Sequence, residues 1–218
     1  MEYVFHRLNA LAQSGVCLAL DKLLNANLRE LLNEKTSRAG TRSKAEKARF
    51  AAAYNKQPPS PIVVCIGSDL AIGDSLGPLV GSMLRYKTQG LGAYIYGTLG
   101  SPVTAKEIRY VKTFLKETHP HRAVIAVDAA VGKEEDVGLI KVTNTPLAPG
   151  SGANKQLGKF GDATVLGVVA QKTPDNFALF NSTRLRLVYE MAERISEGIA
   201  SLLHDYSARV YHTTRTHV

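Results

Sequence analysis

The chain alternates between short apolar runs and amphipathic stretches, with one break near residue 60. Val63, Val64, Cys65 and Ile66 form the first unbroken apolar run after that break, and residues 62–67 read as a strand buried on both faces. Residues 77–88 carry Leu79, Val80, Met83 and Leu84 at helical spacing. "GLG" turns the chain, and 93–99 reads as a second strand. Thr104 and Glu107 form a T-x-x-E capping box, which predicts a helix over 104–118. Further strands follow at 123–129, 138–144 and 163–169. A last amphipathic helix over 182–204 places Leu185, Val188, Met191, Ala192, Ile195, Ile199 and Leu202 on one face.

Strands that are apolar on both faces and separated by helices need a sheet covered on both sides. The pattern predicts an α/β fold, a three-layer α/β/α sandwich with a mostly parallel sheet. Ligands of such sheets sit outside the carboxyl ends of the strands.

Upstream of the break, Leu18, Leu20, Leu23, Leu24, Leu28, Leu31 and Leu32 predict a helix over 18–34, with a shorter turn before it. Pro58, Pro59 and Pro61 then forbid helix and mark a boundary. Three segments are expected: an N-terminal helical arm and basic linker over 1–57, an α/β/α domain over 58–204, and a C-terminal tail over 205–218. The arm is expected to be separable.

Apolar residues make up 44% of the 218, enough for a core that needs no staples. The net charge of +8 is concentrated between residues 35 and 56, where Lys35, Arg38, Arg42, Lys44, Lys47, Arg49 and Lys56 face Glu46 alone. No aromatic residue precedes Phe50 there to stack on bases, so the segment reads as a solvated tether and nucleic acid is not expected as a partner. Cys17 and Cys65 offer neither a disulfide framework nor a zinc pattern, which points to the reducing cytoplasm. No apolar run approaches the ~18 residues of a membrane span. The early acid and broken apolar run of "MEYVFHRLNALAQSGVC" make a poor signal peptide.

The candidate chemistry lies at the strand ends. Asp69 and Asp74 follow the first domain strand, and Asp128 closes the apolar run "AVIAVDA". A single such Asp is often a cap for the next loop. Two carboxyls meeting in a dry crevice repel, so that one keeps its proton while the other ionises. Such a pair can activate water and protonate a leaving group, or it can bind a divalent cation. Asp69 is either a third acid or an Asx-type cap of the glycine turn. "GSDLAIGDSLG" lacks the Lys-Ser/Thr of a P-loop, and its acids would repel phosphate. "NTPLAPGSGANKQLG", with Ser151, Asn154 and Lys155, reads either as a surface loop or as a cleft wall with free backbone N–H groups. No histidine lies at a carboxyl strand end, which disfavours histidine-bound zinc and Ser-His-Asp machinery.

Together, "IGSDLAIGDSLGP", "AVIAVDA" and "IKVTNTPLAPGSGANKQLGKFGD" resemble the YyaC family of bacterial sporulation proteins, from about residue 62 to 203. That family is similar to the germination (spore) protease and, more distantly, to hydrogenase-maturation peptidases. The resemblance implies an aspartic-type catalytic pair at Asp74 and Asp128. It places Ser151, Asn154 and Lys155 on the family's glycine-rich segment, and with Ser68 and Asp69 of the turn after the first domain strand these are the expected substrate-binding residues that shape the cleft. The hydrogenase peptidases add a histidine to hold nickel; this chain has none in the comparable stretch, so no metal or cofactor is expected. The implied function is a spore-associated endopeptidase of the forespore or spore core, acting on a protein or peptide such as small spore proteins. The alternative is a non-catalytic sporulation factor that binds a peptide or divalent cation in the same acidic cleft. An oligomer is compatible with either.

Overall fold

The apolar run after the proline break becomes part of a six-stranded sheet in a computed structural model. The structure describes residues 1–37, 59–120, 122–147, 160–172 and 183–215. In chain order the elements are β1 (Glu2–His6), α1 (Ala12–Ser37), β2 (Ile62–Cys65), α2 (Leu76–Lys87) and β3 (Ile95–Tyr96). Then come α3 (Ile108–Thr118), β4 (Val124–Gly132), β5 (Leu139–Thr143), β6 (Ala163–Gln171) and α4 (Leu185–Arg215). The strand order is β1-β5-β6-β4-β2-β3. β3, β2, β4 and β6 are mutually parallel, and β5 is antiparallel to both β6 and β1.

The alternation of each strand sorts the core into two layers. Val63, Cys65, Ile125, Val127, Ile140, Val142 and Val165 face α1, α2 and α4. Ile62, Val64, Ile66 and Ala126 face α3 through Ile108, Val111 and Leu115, with Leu147 and Phe160 beside them. The three layers and the mostly parallel sheet are those expected from the apolar pattern.

Three boundaries differ from expectation. The strand expected over 93–99 keeps only Ile95–Tyr96, because Gly97 turns the chain at φ +84. Helix α3 starts at Ile108, not Thr104; yet Glu107 accepts from the Thr104 N–H at 2.9 Å and from its hydroxyl, so the capping box forms one turn ahead of the helix proper. The tail expected from 205 begins inside α4, and Tyr206 is a core residue.

The largest correction concerns the arm. Residues 2–6 form an edge strand, with Tyr3 and Phe5 turned toward the core and Glu2, Val4 and His6 away from it. In α1, Val16, Ala19, Leu20, Leu23 and Leu24 are buried in the main cluster. The boundary at 57/58 therefore does not separate these segments from the core. Of the three prolines of the break, Pro58 lies outside the described residues, Pro59 is half-buried and Pro61 is buried at the entry to β2.

This packing carries a consequence for truncation. Each fully buried aliphatic side chain contributes about 1.5–3 kcal/mol, against a whole-domain stability of about 5–15 kcal/mol. A chain starting at Pro59 should lose cooperative unfolding and bind a hydrophobic dye, and Leu20→Ala should cost about 2–5 kcal/mol in urea unfolding. A truncated chain that melts as sharply as the full one would restore the arm as a separable segment.

Candidate active site

The chain passes from β2 through α2 to β3 on one side of β2, then through α3 to β4 on the other. The strand order therefore reverses between β2 and β4, and a crevice opens at such a switch point. β2 ends where Cys65 pairs with Val127, and the Ile66 N–H makes one further bond to the Val127 carbonyl at 2.7 Å. β4 continues beyond that point, still paired with β6 as far as Gly132↔Gln171. Asp128 is the first β4 residue past the end of β2, directly across from Leu166 of β6. The Ala129 N–H donates to the Oδ1 of Asp128 at 2.8 Å. Asp128 thus satisfies part of a strand edge that β2 no longer covers.

Asp74 arrives from the other side of the crevice. It lies in the single turn Gly73–Ser75, which leads straight into α2. Local bonds fix this turn: the Asp74 N–H donates to Ala71, and the Ser75 hydroxyl donates to the Ile72 carbonyl at 2.7 Å. The Ser68 N–H donates to the Asp74 carbonyl at 3.1 Å, closing the loop on itself. Gly67 makes the closure sterically feasible. At φ +142, a Cβ there would stand 2.1 Å from the Asp74 carbonyl oxygen.

Both carboxyl groups are half-buried by surface. Burial pushes the Asp74 carboxyl up, and a backbone hydrogen bond from Ser68 offsets part of that rise. Asp128 is packed about by protein on most sides. Burial raises it well above the carboxylate range, the Asp74 charge raises it further, and the Ala129 N–H pulls the other way. The coupling acts in one direction because Asp128 is still protonated when Asp74 ionises. Asp74 is then the anion and Asp128 the acid. A raised carboxyl does not by itself mark a site. Asp162 is also raised by burial, but it sits at the amino end of β4, where its Oδ2 accepts the Val124 N–H at 2.8 Å.

The other expected residues divide. Ser68 lies beside Asp74, and its hydroxyl accepts the Leu70 N–H at 3.2 Å. That bond is the turn cap for which Asp69 was the candidate; Asp69 itself is exposed at the loop surface. Ser151, Asn154 and Lys155 lie outside the described residues. The two ends of their segment are joined, Leu147 to Phe160, on the α3 side of the sheet with Ala126. Among the described residues, no third acid, histidine or cysteine joins the pair as a metal-ligand cluster. Two apolar neighbours were not singled out beforehand: Leu70 and Ile72 flank the turn and are exposed. Their signal was visible as large apolar residues placed between two acids in a glycine-bounded loop.

Residues 42–198 match the family described as a protein of unknown function, DUF1256. The uncharacterized protein YyaC of Bacillus subtilis (strain 168) is 39% identical over 139 residues, which is 64% of this chain and 67% of that protein. Among solved structures, a [NiFe] hydrogenase maturation protease, HycI, from Thermococcus kodakarensis KOD1 aligns with a TM-score of 0.40 at 20% identity. That alignment covers 66% of this chain and 93% of the other.

The geometry sets the sign of two substitutions. A carboxyl whose folded value lies above its unfolded value costs stability as pH rises from the unfolded value to the folded one, and the cost then levels off. Asn at 128 carries no charge and keeps an oxygen for the Ala129 N–H. Asp128→Asn should be at least as stable as the parent at pH 7, by about 1.4 kcal/mol for each unit of elevation relieved. It should show no gain at pH 3. Urea unfolding at the two pH values measures this, and a clear loss at pH 7 would make Asp128 a structural anion. Gly67→Ala should cost about 1–3 kcal/mol and displace Asp74, seen as a lower urea midpoint.

Proposed function

For a chain that belongs to the DUF1256 family, whose function is unknown, we propose a peptidase activity in which Asp74 and Asp128 work as an acid–base pair. The observation that supports this reading is that Asp74 and Asp128 stand at the β2/β4 switch point, where burial first, and the charge of Asp74 second, hold the proton on Asp128. In this mechanism the Asp74 carboxylate takes a proton from water while the water oxygen attacks the peptide carbonyl carbon. Asp128 gives its proton to the carbonyl oxygen. The tetrahedral adduct collapses as Asp74 passes its proton to the leaving nitrogen and the C–N bond breaks. A hydroxyl of the adduct returns a proton to Asp128. Water and one peptide become one acid and one amine, with no covalent enzyme intermediate.

The resemblance to the germination protease supports a protein or peptide substrate, small spore proteins among them, and a site of action in the forespore or spore core. Ser151, Asn154 and Lys155 are proposed as substrate-binding residues on the same resemblance. Among the described residues, no helix is long and apolar enough to cross a membrane.

The test is incubation of the full chain with a spore-protein extract and with an unfolded model protein, each read by mass spectrometry. The parent should cleave, and Asp74→Asn and Asp128→Asn should each lose at least about 100-fold in rate. The rate should follow a bell in pH. Its acid limb should lie above the ordinary carboxylate range, because Asp74 must ionise against burial. Its alkaline limb should mark loss of the Asp128 proton. Cleavage that survives the double substitution would remove the pair from the mechanism.

A further inference from the structure

Helices α2 and α4 lie side by side on the α1/α2/α4 face, tied by a Lys87–Glu197 ion pair of 3.8 Å. Between them lies an open groove of about 400 Å³. Leu79, Met83 and Tyr86 of α2 form one wall, Tyr189 of α4 the other, and Leu99 closes the side. Three of these stand well out into solvent: Tyr86 at 77%, Tyr189 at 49% and Leu99 at 40%. The polar groups of the lining are partly occupied already. The Ser82 hydroxyl accepts the Leu99 N–H at 2.9 Å, and Lys87 is in its ion pair. The lining is mixed: Leu79, Met83, Tyr86, Leu99 and Tyr189 supply apolar surface beside the polar groups of Ser82, Lys87 and Glu193, a composition that fits a large apolar group held within a polar rim.

The groove is also positioned relative to the acid pair. Leu79 lies about 8 Å along the helix axis from the Asp74 turn. An extended peptide covers ~3.3 Å per residue, so two or three residues span that distance. Two further apolar residues are exposed: Ile72, two positions before Asp74, and Leu185, at the start of α4. α4 also packs against the Gly73–Ser75 turn.

We propose that the groove between α2 and α4 is a specificity subsite that takes one large apolar side chain of the peptide substrate, two or three residues from the scissile bond. The proposal rests on the peptidase reading above, and the experiment separates the two.

Fluorescein-labelled peptides, Gly/Ser/Lys-based with one central Phe or, as control, one central Ser, are titrated by anisotropy against the full chain carrying Asp74→Asn, which blocks turnover. The same titration is repeated with Tyr189→Asp and, separately, Leu99→Asp added. Both residues are partly exposed, and an unchanged thermal melt verifies folding. The Phe peptide should bind at least about tenfold tighter than the Ser peptide, and either added charge should erase that preference. Equal binding of the two peptides, or a preference that survives both charges, overturns the proposal. Self-association of the chain that Tyr189→Asp abolishes also overturns it, by making the groove an interface between copies. If the Phe preference is present but the parent chain cleaves nothing, the acid-pair mechanism fails and the groove stands as a peptide site. If the parent cleaves without regard to Phe, the groove fails and the pair stands.

Discussion

β4 outruns β2, and the candidate site occupies the difference. Once β2 stops at Cys65, the β2-facing edge of β4 loses its partner beyond Val127. Unpaired strand N–H and C=O groups are costly when buried, so something must fill the gap. Here the Asp128 carboxyl turns back onto the Ala129 N–H, and the first turn of α2 closes in from the other side. That approach is backbone against backbone. A Cβ at Gly77 would stand 2.0 Å from the Ile66 carbonyl oxygen, and one at Gly81, a turn later, would stand 1.9 Å from that of Gly97 just past β3. Glycine at these places lets a helix start within contact of the strand ends, and Asp74 is carried in with it.

The layers and the acid positions were legible in the sequence for one physical reason. A strand buried on both faces has to be written as a continuous apolar run, so "VVCI" and "AVIAV" announce themselves, and an Asp at the end of such a run is conspicuous. The electrostatic linkage of Asp74 to Asp128 was not readable in the same way. It depends on which strand neighbours which, and the order β6-β4-β2 is a property of the crossovers. The groove between α2 and α4 was hidden for a similar reason. Leu79, Met83 and Tyr86 look like an ordinary helical stripe until the neighbouring helix leaves their outer side open.

The N-terminal segment shows how charge and proline can mislead. A basic stretch followed by "PPSP" has the composition of a linker, and composition says nothing about what the preceding residues pack against. Tyr3 and Phe5 alternate with polar or exposed positions over only five residues, too short a pattern to stand out at a chain end. Yet β1 supplies the outer edge of the sheet beside β5, and α1 buries Leu20 and Leu23 over the face that also receives α2 and α4. The helices flanking the groove are therefore packed in one cluster with the N-terminal segment.

The division of labour between the two acids follows from their supports. Burial raises both carboxyls; at Asp74, on a short turn, a backbone hydrogen bond from Ser68 offsets part of the rise, whereas Asp128, on a strand with protein on most sides, is raised well above the carboxylate range. The charge on Asp74 then deepens the difference, because it opposes ionisation of Asp128 and receives no opposition in return. On the proposed reading, a pair held this way supplies a base and an acid together without a histidine. It also means that neither residue has properties of its own. Removing the Asp74 charge takes away the repulsion and lets Asp128 titrate lower, held up by burial alone. Removing Asp128 leaves Asp74 with its own burial and an unpaired Ala129 N–H nearby. The two carboxyls are one titrating unit, and the crevice at the end of β2 makes them so.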